Sequence, residues 1–330
     1  MTTFASFSGN PLDAPPTELQ PSRLQFIQRT FPELTGELGG GRSRMEWFRW
    51  VHDRLFIDGW QVPAVRNELA RVNPTVQVIA ATSGKGGVGK TTFAVNLAVA
   101  YAQRGKSVLL FDADMGMANV HVFAGVNPTQ TILDVIDGRA TMEHILVPGP
   151  AGIQIACGAS GVGRLADLES RLLEMLGRQL LHVASSFDIL VIDTGAGVAP
   201  SVMHFLALAH DAVVLATPNL ASTLDAYGVI KVAHEQRLRT RLHLLVNEAD
   251  DEAQAAAVLA RVSGCASRFL QITPGDLGFL RRDPAFEQAN QQRRPLLLSQ
   301  PTGIHAQRIA QIAAQLSAPP AISANAFAAA

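Results

Sequence analysis

Residues 83–92 read SGKGGVGKTT. They stand between a short apolar run, VQVIAA, and a stretch, TTFAVNLAVAYAQRG, in which Ala94, Leu97, Ala98 and Tyr101 share one helical face. The spacing Gly84 to Thr91 fits G-x-x-x-x-G-K-[ST], with a strand before it and a helix after it. Glycines at Gly84, Gly86, Gly87 and Gly89, with Val88 between them, let backbone N–H groups close around phosphate oxygens. The helix behind the loop adds its positive end. In such a loop Lys90 reaches the β- and γ-phosphates of a nucleotide, Thr91 ligates Mg²⁺, and Thr92 completes the phosphate-binding turn. Lys85 is a second lysine that the pattern does not require.

The rest of the chain repeats this alternation. KSVLLFDAD, IQIACG, FDILVIDTG, DAVVLATP and RLHLLVNE are apolar runs of strand length, RFLQIT is a weaker one, and helical segments separate most of them. Continuous apolar strands alternating with helices predict an α/β fold, a doubly wound and mostly parallel sheet covered on both faces. The stretch VMHFLALAHDAVVLATP is broken by His204, His210 and Asp211 and reads as helix, turn and buried strand, not as a membrane span.

Four regions follow. Residues 1–44, with five prolines and a run of three glycines, read as a flexible arm. Residues 45–75 read as a helical extension that holds all three tryptophans, Trp47, Trp50 and Trp60. Its aromatic face either docks a partner or covers the chain's own core. Residues 76–317 form the nucleotide-binding domain. Residues 318–330, rich in Ala and Pro, read as a disordered tail.

Composition narrows the function. With 48% hydrophobic and 17% charged residues a packed core is expected. A formal net charge of -1 gives no electrostatic case for general nucleic-acid binding. Cys157 and Cys265 are far apart, which fits a reducing, cytoplasmic setting, and the first residues lack the pattern of a secretory signal. The nine histidines show no metal-site spacing.

A nucleotide hydrolase with such a loop needs carboxylates at strand ends to hold Mg²⁺ and orient water. Asp112 and Asp114 in FDADMGMAN, and Asp193 in VIDTGAG, stand where the pattern wants them. LLVNEAD places Asn247 and Asp250 at the spacing of a guanine-reading N-K-x-D, but Glu248 replaces the lysine that packs along the base, so ATP is favoured over GTP.

The form K-G-G-x-G-K-T-T resembles the deviant Walker A loop of the MinD/ParA family of P-loop ATPases. The stretches LLFDADMGMANVHVFAGV, GAS-G and IDTGAG, followed by TLDAYGVIK, resemble its FlhG (YlxH, FleN) branch, which controls flagellar number and placement. The resemblance covers residues 76 to 316. It implies that Lys85 reaches across an ATP-dependent homodimer to the partner's phosphates and that Asp114 positions the attacking water. It implies that Asp193 lies near the metal, with Asp112 metal-linked or behind it, and that Asn247 contacts adenine. It further implies an output in placing flagella, with MinD-type division-site selection or ParA-type segregation as alternatives, and a non-hydrolysing nucleotide-binding scaffold as the alternative of another class.

The chain departs from the branch in three places. The short D-Q-A-x-x-L-R segment that stimulates an FlhF-type GTPase is not found, which leaves such a GTPase or a flagellar basal-body protein as partner candidates. Arg281 stands where a proline is usual beside the base. The terminal stretch IHAQRIAQIAAQL carries only Arg308 as a cation, so it reads as packing on the core in preference to binding a membrane at the inner surface or pole.

Overall fold

The computed structural model describes residues 76–160 and 170–317. The arm, the tryptophan-bearing extension, the tail and residues 161–169 lie outside the described residues.

Eight strands form one sheet: β1 (Gln77–Ser83), β2 (Val108–Ala113), β3 (Leu146–Pro148), β4 (Gln154–Ala156), β5 (Ile189–Ala196), β6 (Asp211–Ala216), β7 (Arg241–Ala249) and β8 (Gly275–Arg281). Their spatial order is β3-β4-β2-β5-β1-β6-β7-β8. Every pairing is parallel except that of the short edge strand β3 with β4. The order reverses beside β1: the chain leaves β1 for β2, two places to one side, and later returns to fill β6 on the other. Such a switch point opens a crevice at the carboxyl ends of the strands.

The helices are α1 (Lys90–Gln103), α2 (Val120–Phe123), α3 (Ile132–Ile136), α4 (Ser170–Ala184), α5 (Pro200–Ala207), α6 (Leu220–Glu235), α7 (Glu252–Leu270), α8 (Pro284–Gln291), α9 (Leu296–Ser299) and α10 (Ile304–Ser317). Local chemistry sets their ends. Asn219 caps α6 by accepting from Ala221 N at 2.9 Å, and Asp251 caps α7 by accepting from Gln254 N at 2.8 Å. Asp283 caps α8, with Pro284 at its first position.

Both faces of the sheet are covered. Ile79, Val191, Val213 and Leu245 pack in one cluster with Leu97 of α1 and with Ile309, Ile312 and Leu316 of α10. On the opposite face Phe111 of β2 meets Phe205 of α5, ring centroids 5.3 Å apart. The terminal helix is therefore part of the core. The Tyr101 hydroxyl donates to Ala313 O at 3.0 Å, and Gln77 Nε2 donates to Leu316 O at 2.7 Å. Among the described residues no helix is long and apolar enough to cross a membrane. Residues 202–218 form the helix, turn and strand expected of them.

Two expectations of secondary structure are corrected. RFLQIT is no strand: residues 268–270 end α7, and Gln271 closes that helix at φ 57°. The apolar periodicity of Val258, Val262, Cys265 and Ala266 carries the helix through to that point. The strand lies further on, in GDLGFLR, where only Leu277 and Leu280 are buried, so no alternation announces it. The edge strand β3 was also missed, being three residues long and only half-buried.

Candidate functional site

The phosphate loop leaves β1 at Ser83, whose hydroxyl donates to Lys85 O at 2.6 Å and starts the turn. Two glycines here are demanded by their neighbours. A Cβ at Gly84 would overlap the backbone carbonyl of Asp225 on α6. Gly89 sits at φ 90° as the residue before α1, and a Cβ there would overlap the Asn247 amide. Asn247, expected at the base, donates from Nδ2 to Val88 O at 2.9 Å and so braces the loop from β7.

The two lysines of the loop live in different media. Lys85 is exposed, as are Gly86 and Gly87. Lys90 is 8% exposed. Burial pulls its ammonium below the usual lysine value, against the attraction of Asp193 and Asp114.

The acids come from β2 and β5, which run side by side with Asp112 directly opposite Asp193. Asp193 is fully withdrawn from water, and its Oδ1 has no hydrogen-bond partner. Desolvation pushes its carboxyl up to about 7, although the Thr91 hydroxyl and the Lys90 charge pull it down, and Asp114 pushes it further up. A buried, orphaned carboxylate oxygen beside the Thr91 hydroxyl and a buried lysine fits a hydrated divalent cation between protein and phosphates. Among the described residues no three His, Cys, Asp or Glu side chains converge on one point. Mg²⁺ held by Thr91 and Asp193 would therefore complete its shell from nucleotide and water.

Asp112 does different work. Its Oδ1 accepts from Asp114 N at 3.2 Å and its Oδ2 from Val120 N at 3.0 Å. It folds the loop between β2 and α2. A direct metal bond through Asp112 would require one of these oxygens to be shared. Burial and then the neighbouring Asp193 hold its carboxyl well above the usual range. Asp114 stands at the mouth of the site. Its Oδ1 accepts from Gly116 N at 3.1 Å and Met117 N at 3.0 Å and lies within van der Waals reach of a Cβ placed on Gly195. The segment after Asp193 is tied to the phosphate loop, since Gly197 N donates to Ser83 O at 2.8 Å. The GASGVG stretch begins at the same mouth: the Ser160 hydroxyl donates to Ala118 O, and Ser160 bridges to the exposed Met117.

At the other side, Arg281 Nε donates to Asp250 O at 2.8 Å, and Arg282 faces Asp250 Oδ1 at 3.4 Å. The acid of the N-E-A-D stretch is thus bound to its own chain. Sequence reasoning missed Asn96 and Asn290. Asn96 Nδ2 donates to Thr92 O at 2.7 Å while its Oδ1 accepts from Leu297 N at 3.0 Å. An asparagine in the middle of an otherwise apolar helix was the available signal, because its local propensity is poor.

Residues 79–321 match the CobQ/CobB/MinD/ParA nucleotide binding domain. The chain is 36% identical over 219 residues to the antiactivator FleN of Pseudomonas aeruginosa, covering 66% of this chain and 78% of that one. It is 31% identical over 251 residues to the flagellum site-determining protein YlxH of Helicobacter pylori, covering 72% and 81%. The septum site-determining protein MinD from Pyrococcus horikoshii, solved with Mg-ADP, shares the fold at a TM-score of 0.63 and 24% identity, over 73% of this chain and 96% of that one. The chain belongs to the CobQ/CobB/MinD/ParA nucleotide-binding family, as a P-loop ATPase of the MinD/ParA type.

Proposed function

We propose that this ATPase is a dimerising switch whose output is the number or placement of flagella. The observation that carries the switch is the contrast between the two lysines. Lys90 and Asp193 are buried and Thr91 is half-buried, whereas Lys85 stands exposed on the same loop. A cation held outside its own site suits the phosphates of a facing subunit. The flagellar output is supported by similarity to FleN and YlxH across 66% and 72% of this chain.

In this reading the nucleotide lies on the turn from Gly84 to Thr92. Lys90 spreads positive charge over the β- and γ-phosphates. Thr91 and Asp193 would hold Mg²⁺, which would supply neutralising charge to the phosphate oxygens, and Asp112 keeps the β2–α2 loop in place. Asp114 orients a water in line with the γ-phosphorus. The new P–O bond forms as the bond to the β-phosphate oxygen breaks, and ADP and phosphate leave. Little bond chemistry falls to the protein, so catalysis is positioning and charge neutralisation. Asn247 serves the adenine side through the loop that it braces. Contact with a membrane or pole comes through a partner, such as an FlhF-like GTPase or a basal-body protein, because α10 has its apolar residues in the core and leaves only Ile304 out.

Light scattering with ATP and Mg²⁺ tests the switch. Asp114→Ala should accumulate as a dimer, and Lys85→Ala should stay monomeric while still binding nucleotide. Dimerisation that ignores nucleotide would sink the reading. In cells, deletion should give extra or misplaced flagella with normal septa; minicells with normal flagella would move the switch to division.

A further inference from the structure

Thr92 follows the metal-binding threonine, and its hydroxyl is unusually constrained. A hydroxyl owns one proton and two lone pairs. Inside a helix a threonine commonly spends that proton on the carbonyl four residues back. For Thr92 that carbonyl is Val88 O, which already accepts from Asn247 Nδ2 at 2.9 Å. Asn290 Nδ2 donates into Thr92 Oγ1 at 3.1 Å. An oxygen that accepts from an amide must aim its own proton elsewhere.

The donor itself is held. Asn290 is in the last turn of α8, and the chain beyond it is clamped at both ends. Arg293 takes a left-handed backbone, φ 52°, and its guanidinium donates to Val126 O at 3.0 Å and Asn127 Oδ1 at 2.9 Å. Gly125, at φ 71°, lies so close to Arg293 O that a Cβ would overlap it. Leu297 N then donates to Asn96 Oδ1 at 3.0 Å, and the same asparagine donates to Thr92 O at 2.7 Å. Residues 290–297 thus strap the turn after α2 to the first turn of α1.

We propose that Asn290 is a positioning residue for nucleotide binding: it fills a lone pair of Thr92 Oγ1 and leaves the hydroxyl proton to be donated to a phosphate oxygen of the nucleotide. This rests on the reading of residues 84–92 as the phosphate site. The side chain is built into α8, a segment that the phosphate-loop pattern does not include.

The test is titration of the full chain with Mg-ADP by calorimetry, on wild type, Asn290→Ala, Asn290→Asp, Thr92→Val and the Asn290→Ala/Thr92→Val pair. Loss of one hydrogen bond to a charged phosphate should weaken Mg-ADP about tenfold in Thr92→Val, and by a similar factor in Asn290→Ala. The pair should bind no more weakly than Thr92→Val alone, because Asn290 acts through that hydroxyl. Asn290→Asp keeps the shape but turns donor into acceptor, draws the Thr92 proton to itself, and should bind more weakly than Asn290→Ala. Melting without nucleotide should stay near wild type in all of them. Independent, multiplying losses in the pair, or an Asp variant that binds like wild type, would overturn the proposal. Lys90→Ala separates the two levels. If it abolishes binding while Thr92→Val is silent, the proposal falls and the phosphate site stands. If Lys90→Ala binds normally, the site reading itself fails.

Discussion

Asp193 and Asp211 are equally hidden from water, each 1% exposed, on opposite flanks of β1, yet their chemistry is opposed. Asp211 opens β6 and is surrounded by donors. Arg241 grips it with Nε at 2.8 Å and a terminal nitrogen at 2.7 Å, His243 Nε2 lies 2.8 Å away, and Gln77 adds a contact at 3.4 Å. Burial would raise its carboxyl, but the bonds from His243 and Arg241 outweigh it and bring it below 3.8. Asp193, toward the carboxyl end of β5, has one oxygen orphaned and its carboxyl driven up to about 7. Burial alone therefore does not say what a charge is for; the supply of partners does. The amino end of the sheet uses its acid to tie strands together. The carboxyl end keeps an acid short of partners, and it is at functional sites that such perturbed groups cluster.

The largest effect should come from removing the unsatisfied acid. Asp193→Ala is expected to lower steady-state ATP turnover on the order of 10²–10³-fold, as loss of one preorganised charge at a reacting centre does. Its melting temperature without nucleotide should not fall. Asp211→Ala should do the reverse. Taking the acid from a buried, bonded cluster costs about 3 kcal/mol of stability, readable in urea, with turnover per folded molecule unchanged. A loss of turnover in Asp211→Ala without a loss of stability would break the division between the two ends.

pH sharpens the same contrast. Asp193 holds its proton to about 7 in the folded chain, whereas the unfolded chain releases it near 3.8. Between those values the folded state binds more protons, so stability falls as pH rises. Asp193→Asn lacks this penalty. It should exceed wild type by on the order of 4 kcal/mol at pH 8 and come within about 1 kcal/mol of it at pH 4. Asp211 has the opposite sign: its contribution is present above 3.8 and is lost as pH falls below that value. Urea midpoints of the nucleotide-free protein at the two pH values decide the matter. A difference between Asp193→Asn and wild type that does not change with pH would contradict the raised carboxyl.

Much of this division was legible in the sequence at one end only. The phosphate loop and its flanking elements, the strand-end acids, and the helix–turn–strand over residues 202–218 follow from patterns in which neighbours along the chain carry the signal. Asp211 appeared only as a break in an apolar run. Its partners are 30 residues or more away, at Arg241, His243 and Gln77, and no local spacing joins them. Asn290 is 198 residues from Thr92 and was invisible for the same reason. Asp112 was read from its place in D-x-D, but what occupies its oxygens is the backbone of its own loop. β8 escaped because its strand pairs on one side only and so lacks a continuous apolar run.

The smallest effect tests how the structural end is closed. The phenol of Tyr101 is buried and pushed up to about 12, so it remains a donor throughout the physiological range, and its bond goes to Ala313 O in the last turns of α10. Phenylalanine would keep the ring packed and lose that one bond while Ala313 O still accepts from the Ser317 hydroxyl at 2.8 Å, so the cost should be no more than about 1 kcal/mol. Gln77 holds the same helix three residues further on and also reaches Asp211, so α10 and the acid cluster share one bracket. Tyr101→Phe combined with Asp211→Ala should then cost more than the two changes apart if the bracket is cooperative, and their sum if α10 docks independently. Mg-ADP affinity should be untouched in either case. A fall in affinity on Tyr101→Phe would mean that α1 carries strain from its last turn to Lys90 in its first, and the two ends of the sheet would have to be treated as one device.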